Sequence, residues 1–173
     1  MKLYSNNLRN YDIPIPDDAV IRVNLAWTDT KAKLVKVLKS PKHKLFIDYP
    51  KGRKKYPFTK ISLQDSINLC NKSQGVYYFA ISNAENPDSI AALRYILNPR
   101  ITLVPKIETS IGIERLQDIV KAAKTDLIMF DKNDLWIDVN RNLARYLTYF
   151  ENIKKTSSYL NVRMLIEQGI IFL

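Results

Sequence analysis

The chain has 173 residues and a formal net charge of +10; 46% of it is hydrophobic, enough for one domain with a real core, and it carries too little Gly and Pro for a low-complexity chain. One cysteine (Cys70) and one histidine (His43) exclude an intramolecular disulfide, a cysteine metal cage and a multi-histidine metal site. No run approaches the ~18 apolar residues of a membrane span, and the opening "MKLYSNNLRNYDIPIPDD" has no apolar signal core, so a cytoplasmic location is expected.

In chain order, "AVIRVNLAW" (19–27) predicts a strand from its β-branched residues and period of two. "DTKAKLVKVLKS" predicts a helix capped by Thr28 or Asp29. "KLFIDYP" (44–50) is a strand stopped by Pro50, followed by a turn at "KGRKK". "SLQDSINLCNKS" (62–73) is a helix with Ser62 as N-cap and Cys70 on its apolar side. "VYYFAIS" (76–82) is a strand, and "NPDSIAALRYIL" (86–97) a helix with Pro87 in its first turn. "ITLVPKIE" (101–108) and "DLIMFDK" (126–132) are strands flanking a helix at "GIERLQDIVKAA" (112–123). A longer helix follows over 140–158, where Tyr146, Tyr149 and Phe150 mark a buried face. At least one more strand lies in 162–173.

About six strand–helix repeats define an α/β fold with a parallel sheet, covering 1–173 as a single domain. There is no GxGxxG, Walker or nucleophile-elbow motif, which leaves a reduced or incomplete (β/α) TIM-barrel-like fold. An eight-unit barrel typically takes more than ~200 residues. The expectation is therefore a partly open barrel whose uncovered edge is closed by a second copy of the chain, with a natural short form and a fragment both left open.

Active sites of such barrels lie at the C-terminal ends of the strands. Lys106 and Glu108 stand two residues apart at one such end, on one face of the strand. Asp134 lies one βα unit further on, within reach of Glu108 if the two strands are neighbours about 4.8 Å apart. Two carboxylates with waters suit a hard cation such as Mg²⁺ or Mn²⁺, and Lys106 beside them would stabilise an anionic oxygen. The competing reading is a solvated Lys–Glu pair and an Asp134 that caps a helix. In "YPKGRKK", Lys51 and Arg53 are candidates for binding phosphate or carboxylate, against the plain reading of a basic loop.

"LVPKIETSIGIERLQDIVKAAKTDLIMFDKNDL" resembles the core segment of the phosphoenolpyruvate/pyruvate superfamily of TIM barrels. Pyruvate kinases carry a similar "KIE…G…LDEI…D.IMVARGDLG" pattern. Citrate lyase β-subunits and 2-oxoacid aldolases carry "IET..G…I…D.L.FG..DLS". "QGVYYFAISNAENPDSIAALRYIL" is similar to the preceding pyruvate kinase segment, so the resemblance spans about residues 74–136. It implies divalent-metal ligands at Glu108 and Asp134 and an enolate-stabilising catalytic lysine at Lys106. It also implies that the turn containing Lys132 and Asn133 holds a substrate carboxylate. The chain departs from the family there: Asp131 adds negative charge, and Asn133 replaces a glycine.

Three functional readings follow. The first is a Mg²⁺- or Mn²⁺-dependent enzyme acting on a small oxoacid or enol phosphate, as a C–C lyase or phosphotransferase. The second is a non-catalytic relative serving as a partner subunit or ligand sensor. The third, resting on net charge alone, is a basic module for a polyanion. No zinc-finger spacing, RNP pattern or recognition helix is visible, so nucleic acid is not the expected partner. The expected partners are a small anionic substrate and a second copy, without a membrane.

Overall fold

The computed structural model describes residues 3–6, 14–28, 30–39, 41–52 and 56–166. The chain forms two compact units, 1–81 with 96–102, and 82–95 with 103–173.

The first unit contains β1 (Leu3–Ser5), β2 (Val20–Asn24), α1 (Lys31–Leu38), β3 (Lys44–Tyr49), α2 (Leu63–Lys72) and β4 (Val76–Ile81). Its four strands pair in parallel and in chain order, Leu3 with Val20, Val20 with Lys44, and Leu45 with Val76. Four consecutive residues of β3, Leu45–Asp48, are buried. A parallel strand covered on both faces reads as a near-continuous apolar run, which is why "KLFIDY" does not alternate cleanly. Asp48 is the exception, 1% exposed, with its Oδ2 accepting from the Arg22 guanidinium at 2.6 Å.

The helices start where side chains can satisfy free N–H groups. Ser62 accepts from the Asp65 N–H and donates to its carboxylate, as expected. Lys31, 2.8 Å from the same carboxylate, and Ser62 hold the Asp65 carboxyl below its usual range. The cap of α1 is Thr30, which accepts from Lys33 N–H, and not Thr28 or Asp29. Thr28 is buried in the turn after β2, where its own N–H donates to the Asn24 carbonyl. Asp29 lies outside the described residues. Cys70 packs in the core under α2, and burial pushes its thiol up to about 12 despite the nearby Arg100 charge.

The second unit holds most of α3 (Pro87–Ile96) and of β5 (Thr102–Ile107), then α4 (Ser110–Glu114), α5 (Leu116–Ala123), β6 (Leu127–Phe130), α6 (Lys132–Asp138), α7 (Leu143–Tyr159) and β7 (Arg163–Ile166). β5, β6 and β7 are parallel neighbours in chain order. The helix expected over 112–123 is two helices, interrupted at Arg115 (φ −99°, ψ 13°). The aromatic face of α7 is half-buried: Tyr146 stacks on Phe150, Phe150 tilts against Phe130, and the fully covered positions are Ile153 and Ser157.

Helices alternate with parallel strands in sequential order, so the fold is α/β of the incomplete (β/α)-barrel class, as the sequence predicts. The described residues contain seven strands where about six repeats are expected, because the three-residue β1 carries too little pattern to be read. Of the strand expected within 162–173, Arg163–Ile166 is present and the remainder lies outside the described residues.

Gly75 immediately precedes β4, and its carbonyl oxygen accepts from the Leu45 N–H. A Cβ there would sit 2.1 Å from Cγ of Pro41, a ring with no rotamer to yield. Gly75→Ala should destabilise the protein by about 1–3 kcal/mol, measured as a lower urea midpoint with an unchanged slope.

Candidate functional site

The site grows from the C-terminal ends of β5 and β6, within the second unit. Lys106 and Glu108 project to the same side of β5 and are 5% and 4% exposed. Two charges so far from water must be paired and hydrogen-bonded to persist. The Lys106 ammonium lies 2.8 Å from Oε1 of Glu108 and donates to Ser82 Oγ at 3.1 Å. Oε2 of Glu108 accepts the Asn83 N–H at 2.6 Å. Asn83 adopts a left-handed backbone (φ 51°), a conformation asparagine tolerates better than most residues. The Ala84 N–H then bonds to the Lys106 carbonyl, fastening the 82–84 turn to β5.

The register carries this site on to β6. Ile107 pairs with Phe130, and the Asp131 N–H donates to the Ile107 carbonyl, so Glu108 and Asp131 are the next residues on the two strands. Asp131 is also the N-cap of α6, its Oδ1 accepting from the N–H groups of Asn133 (3.0 Å) and Asp134 (3.1 Å). That cap turns Asp134 back over the strand ends. One oxygen from each of Glu108, Asp131 and Asp134 lies within 4.8 Å of the other two. One ammonium against three carboxylates leaves the group with a formal charge of −2.

An all-oxygen donor set of this spacing fits a hard divalent cation. Glu108 is buried, Asp131 half-buried and Asp134 exposed, so a cation held by all three would keep an outer side open to water or to a ligand's oxygens. Glu108, Asp134 and Lys106 are thus brought together as the sequence predicts. Asp131 joins them, although from sequence it reads only as an unfavourable charge. The signal for it was positional: it follows β6 as Glu108 follows β5.

Lys132 and Asn133 form the first turn of α6, and the Asn133 N–H is bonded to the chain's own Asp131. Lys51 lies in the first unit, exposed just beyond β3, and Arg53 is outside the described residues. Gly112 supports the site from behind: its close approach leaves only 3.0 Å between a hypothetical Cβ and the Ala84 carbonyl oxygen. Thr109 caps α4 through Gly112 N–H and donates to Glu85, holding the residues after Glu108 in place. No helix of the described residues is long and apolar enough to cross a membrane.

No family profile matches the chain. A pyruvate kinase of Lactococcus lactis subsp. lactis (strain IL1403) is 32% identical over 92 residues, 49% of this chain and 18% of the enzyme. The chain thus matches less than a fifth of that relative's length. Among solved structures, an HpcH/HpaI aldolase/citrate lyase family protein from Burkholderia cenocepacia J2315 superimposes with a TM-score of 0.64 at 8% identity, over 85% of this chain and 70% of that one. The citrate synthase SbnG gives 0.61 at 12% identity, over 88% and 68%. The fold is therefore shared with these two proteins, and about half of the chain is similar in sequence to a segment of a pyruvate kinase.

The buried pair allows a double-mutant test. Lys106→Met leaves Glu108 desolvated beside two other carboxylates and should cost about 3–5 kcal/mol, the scale for breaking a buried ion pair. Adding Glu108→Gln should restore much of that loss, giving a coupling well above 1 kcal/mol in thermal or urea unfolding. Additive losses would mean that the pair contributes no mutual stabilisation.

Proposed function

We propose that this chain is a divalent-cation-dependent enzyme acting on a small oxoacid or enol phosphate, of the C–C lyase or phosphotransferase type. The observation that carries the reading is the convergence of Glu108, Asp131 and Asp134 oxygens within 4.8 Å, beside a Lys106 ammonium 2.8 Å from Glu108. The shared fold with an aldolase/citrate lyase family protein and the pyruvate kinase segment supports the substrate class.

Mg²⁺ or Mn²⁺ held by the three carboxylates would supply a Lewis acid for substrate oxygens. The rest falls to the chain's own groups. Lys106 is a fixed positive charge in a dry place, where stabilisation of a developing oxyanion is strongest. Ser82 and Glu108 fix its ammonium, so little reorganisation is needed when charge develops. Asn83, through its backbone N–H, keeps Glu108 in line. Lys132, half-buried at the start of α6, is the cation nearest in sequence to the open side and is assigned to the substrate's anionic group, with Asn133 beside it. Lys51, in the first unit, and Arg53 are proposed separately, as binders of a carboxylate or phosphate.

A second reading has its own support. Asp131 occupies the turn where the resemblance places a substrate carboxylate, and it takes up the Asn133 N–H. A relative that keeps a cation site for ligand sensing, without turnover, accounts for that change.

Calorimetric titration with MnCl₂ decides first. The unmodified protein should bind Mn²⁺, and Glu108→Gln or Asp134→Asn should weaken binding at least tenfold while circular dichroism stays native. Pyruvate, oxaloacetate or phosphoenolpyruvate should then raise the melting temperature further only with Mn²⁺ present. Cation binding without any such response favours the sensor. No divalent binding, with Glu108→Gln changing stability alone, sinks both readings.

We also propose that the chain assembles with itself through α7. Tyr149 donates to Glu114 and so turns one flank of α7 to α4. Leu147 lies about 160° round the helix from it, and with Leu143 it is exposed at 50% and 61%. In a complete barrel the next helix covers that flank. Sedimentation equilibrium should show a dimer that Leu147→Lys converts to monomer; a wild-type monomer at high concentration rules the interface out.

A further inference from the structure

The net charge of +10 is not explained by the acidic site, and in the first unit much of it collects at one end. Three stretches, residues 31–47, 66–84 and 89–107, contain no Asp or Glu at all. Parts of them meet where the strands of that unit begin. Lys36 and Lys39 lie at the C-terminal end of α1, Lys42 in the following loop, Lys44 at the first position of β3, and Lys72 in the last turn of α2. Arg100 is fastened to the same place, its guanidinium bonding to carbonyls of Asn71, Ser73 and Val76. All six are exposed.

Cross-links between these segments make the patch one surface. Ser73 Oγ donates to the Leu38 carbonyl, joining the ends of α2 and α1. Pro41 packs on Gly75, and the Gly75 carbonyl accepts from Leu45. The opposing charges are Asp17 and Asp18, just before β2. Tyr77 stands beside Lys44, 43% exposed on β4, with the Lys44 ammonium 4.9 Å from its ring centroid. Lysines at helix C-termini also sit on the favourable end of the helix dipole, so their abundance there has a structural benefit. That benefit covers Lys36, Lys39 and Lys72, and leaves Lys42 and Lys44 to be explained.

We infer that this end of the first unit is a docking surface for single-stranded nucleic acid. A row of cations on helix ends and strand starts suits a phosphodiester backbone. An exposed aromatic ring among them favours single strands, whose bases are free to stack on it. The surface is built from residues other than those of the acidic cluster, so the inference stands apart from the proposed activity.

Fluorescence anisotropy with a labelled 20-nucleotide RNA tests it. Binding in the range of about 1–100 μM at 100 mM KCl is expected, weakening linearly on a log–log salt plot. The variant Lys36→Gln/Lys39→Gln/Lys42→Gln/Lys72→Gln should bind at least tenfold more weakly, with a salt slope reduced by about 3. Glu108→Gln should bind as the unmodified protein does. If the fourfold variant fails to fold, lysine acetylation of the unmodified protein replaces it: bound RNA should protect Lys36, Lys39, Lys42 and Lys72 and leave Lys121 and Lys155 reactive. The inference is overturned by no anisotropy change up to about 1 mM protein, by unchanged binding of the variant, by uniform protection, or by binding to phosphatidylserine vesicles in the absence of RNA binding.

Discussion

The second unit is organised around a desolvated ion pair. Lys106 and Glu108 sit at the end of a strand whose other buried residues are apolar, and neither charge survives there alone. Their mutual contact is not sufficient, because each carboxylate oxygen and each ammonium hydrogen needs a partner. Ser82 takes one further ammonium hydrogen and the Asn83 N–H serves the second carboxylate oxygen, and Asn83 takes a left-handed backbone there. The turn after β4 is therefore shaped by the demand of a pair on β5. Glu108 in turn fixes where Asp131 and Asp134 can stand, since both lie on the neighbouring strand end and helix start. A replacement that keeps size but removes one charge leaves the other charge of the pair without its counter-ion in a dry place.

The strands and helices were largely legible because each carried its own period or cap. Ser62 announced α2, and Pro87 announced the first turn of α3. The failures share a cause: they depend on contacts distant in sequence. Thr30 caps α1 only because Thr28 is drawn into the turn after β2. The break at Arg115 comes in a run with unbroken helical periodicity. α6 shows in the sequence only through Asp134 as a candidate cap, and the structure gives that role to Asp131, because seven residues with one buried side chain leave almost no apolar pattern. For the site, Lys106, Glu108 and Asp134 were visible through strand alternation and spacing. Asp131 was hidden because its two roles, helix cap and cluster member, follow from register, and register is a property of two strands together. The Arg22–Asp48 pair on the first unit was missed for the same reason.

Charge is distributed against the average. The chain is strongly basic, yet its most crowded polar group carries a formal −2. Long-range potential and local charge then act differently: the former raises the concentration of anions around the molecule, and the latter favours a cation at the cluster itself. With the proposed divalent cation bound, an anionic ligand at the cluster would meet less repulsion.

The lone thiol has a practical meaning. Cys70 is fully enclosed in the first unit and its pKa of about 12 leaves almost no thiolate at neutral pH. Alkylation must wait for the surrounding helix to open, so its rate reports the free energy of that opening directly. Because the reporter belongs to one unit, the same chain contains an internal gauge of whether its two halves lose structure together or in succession.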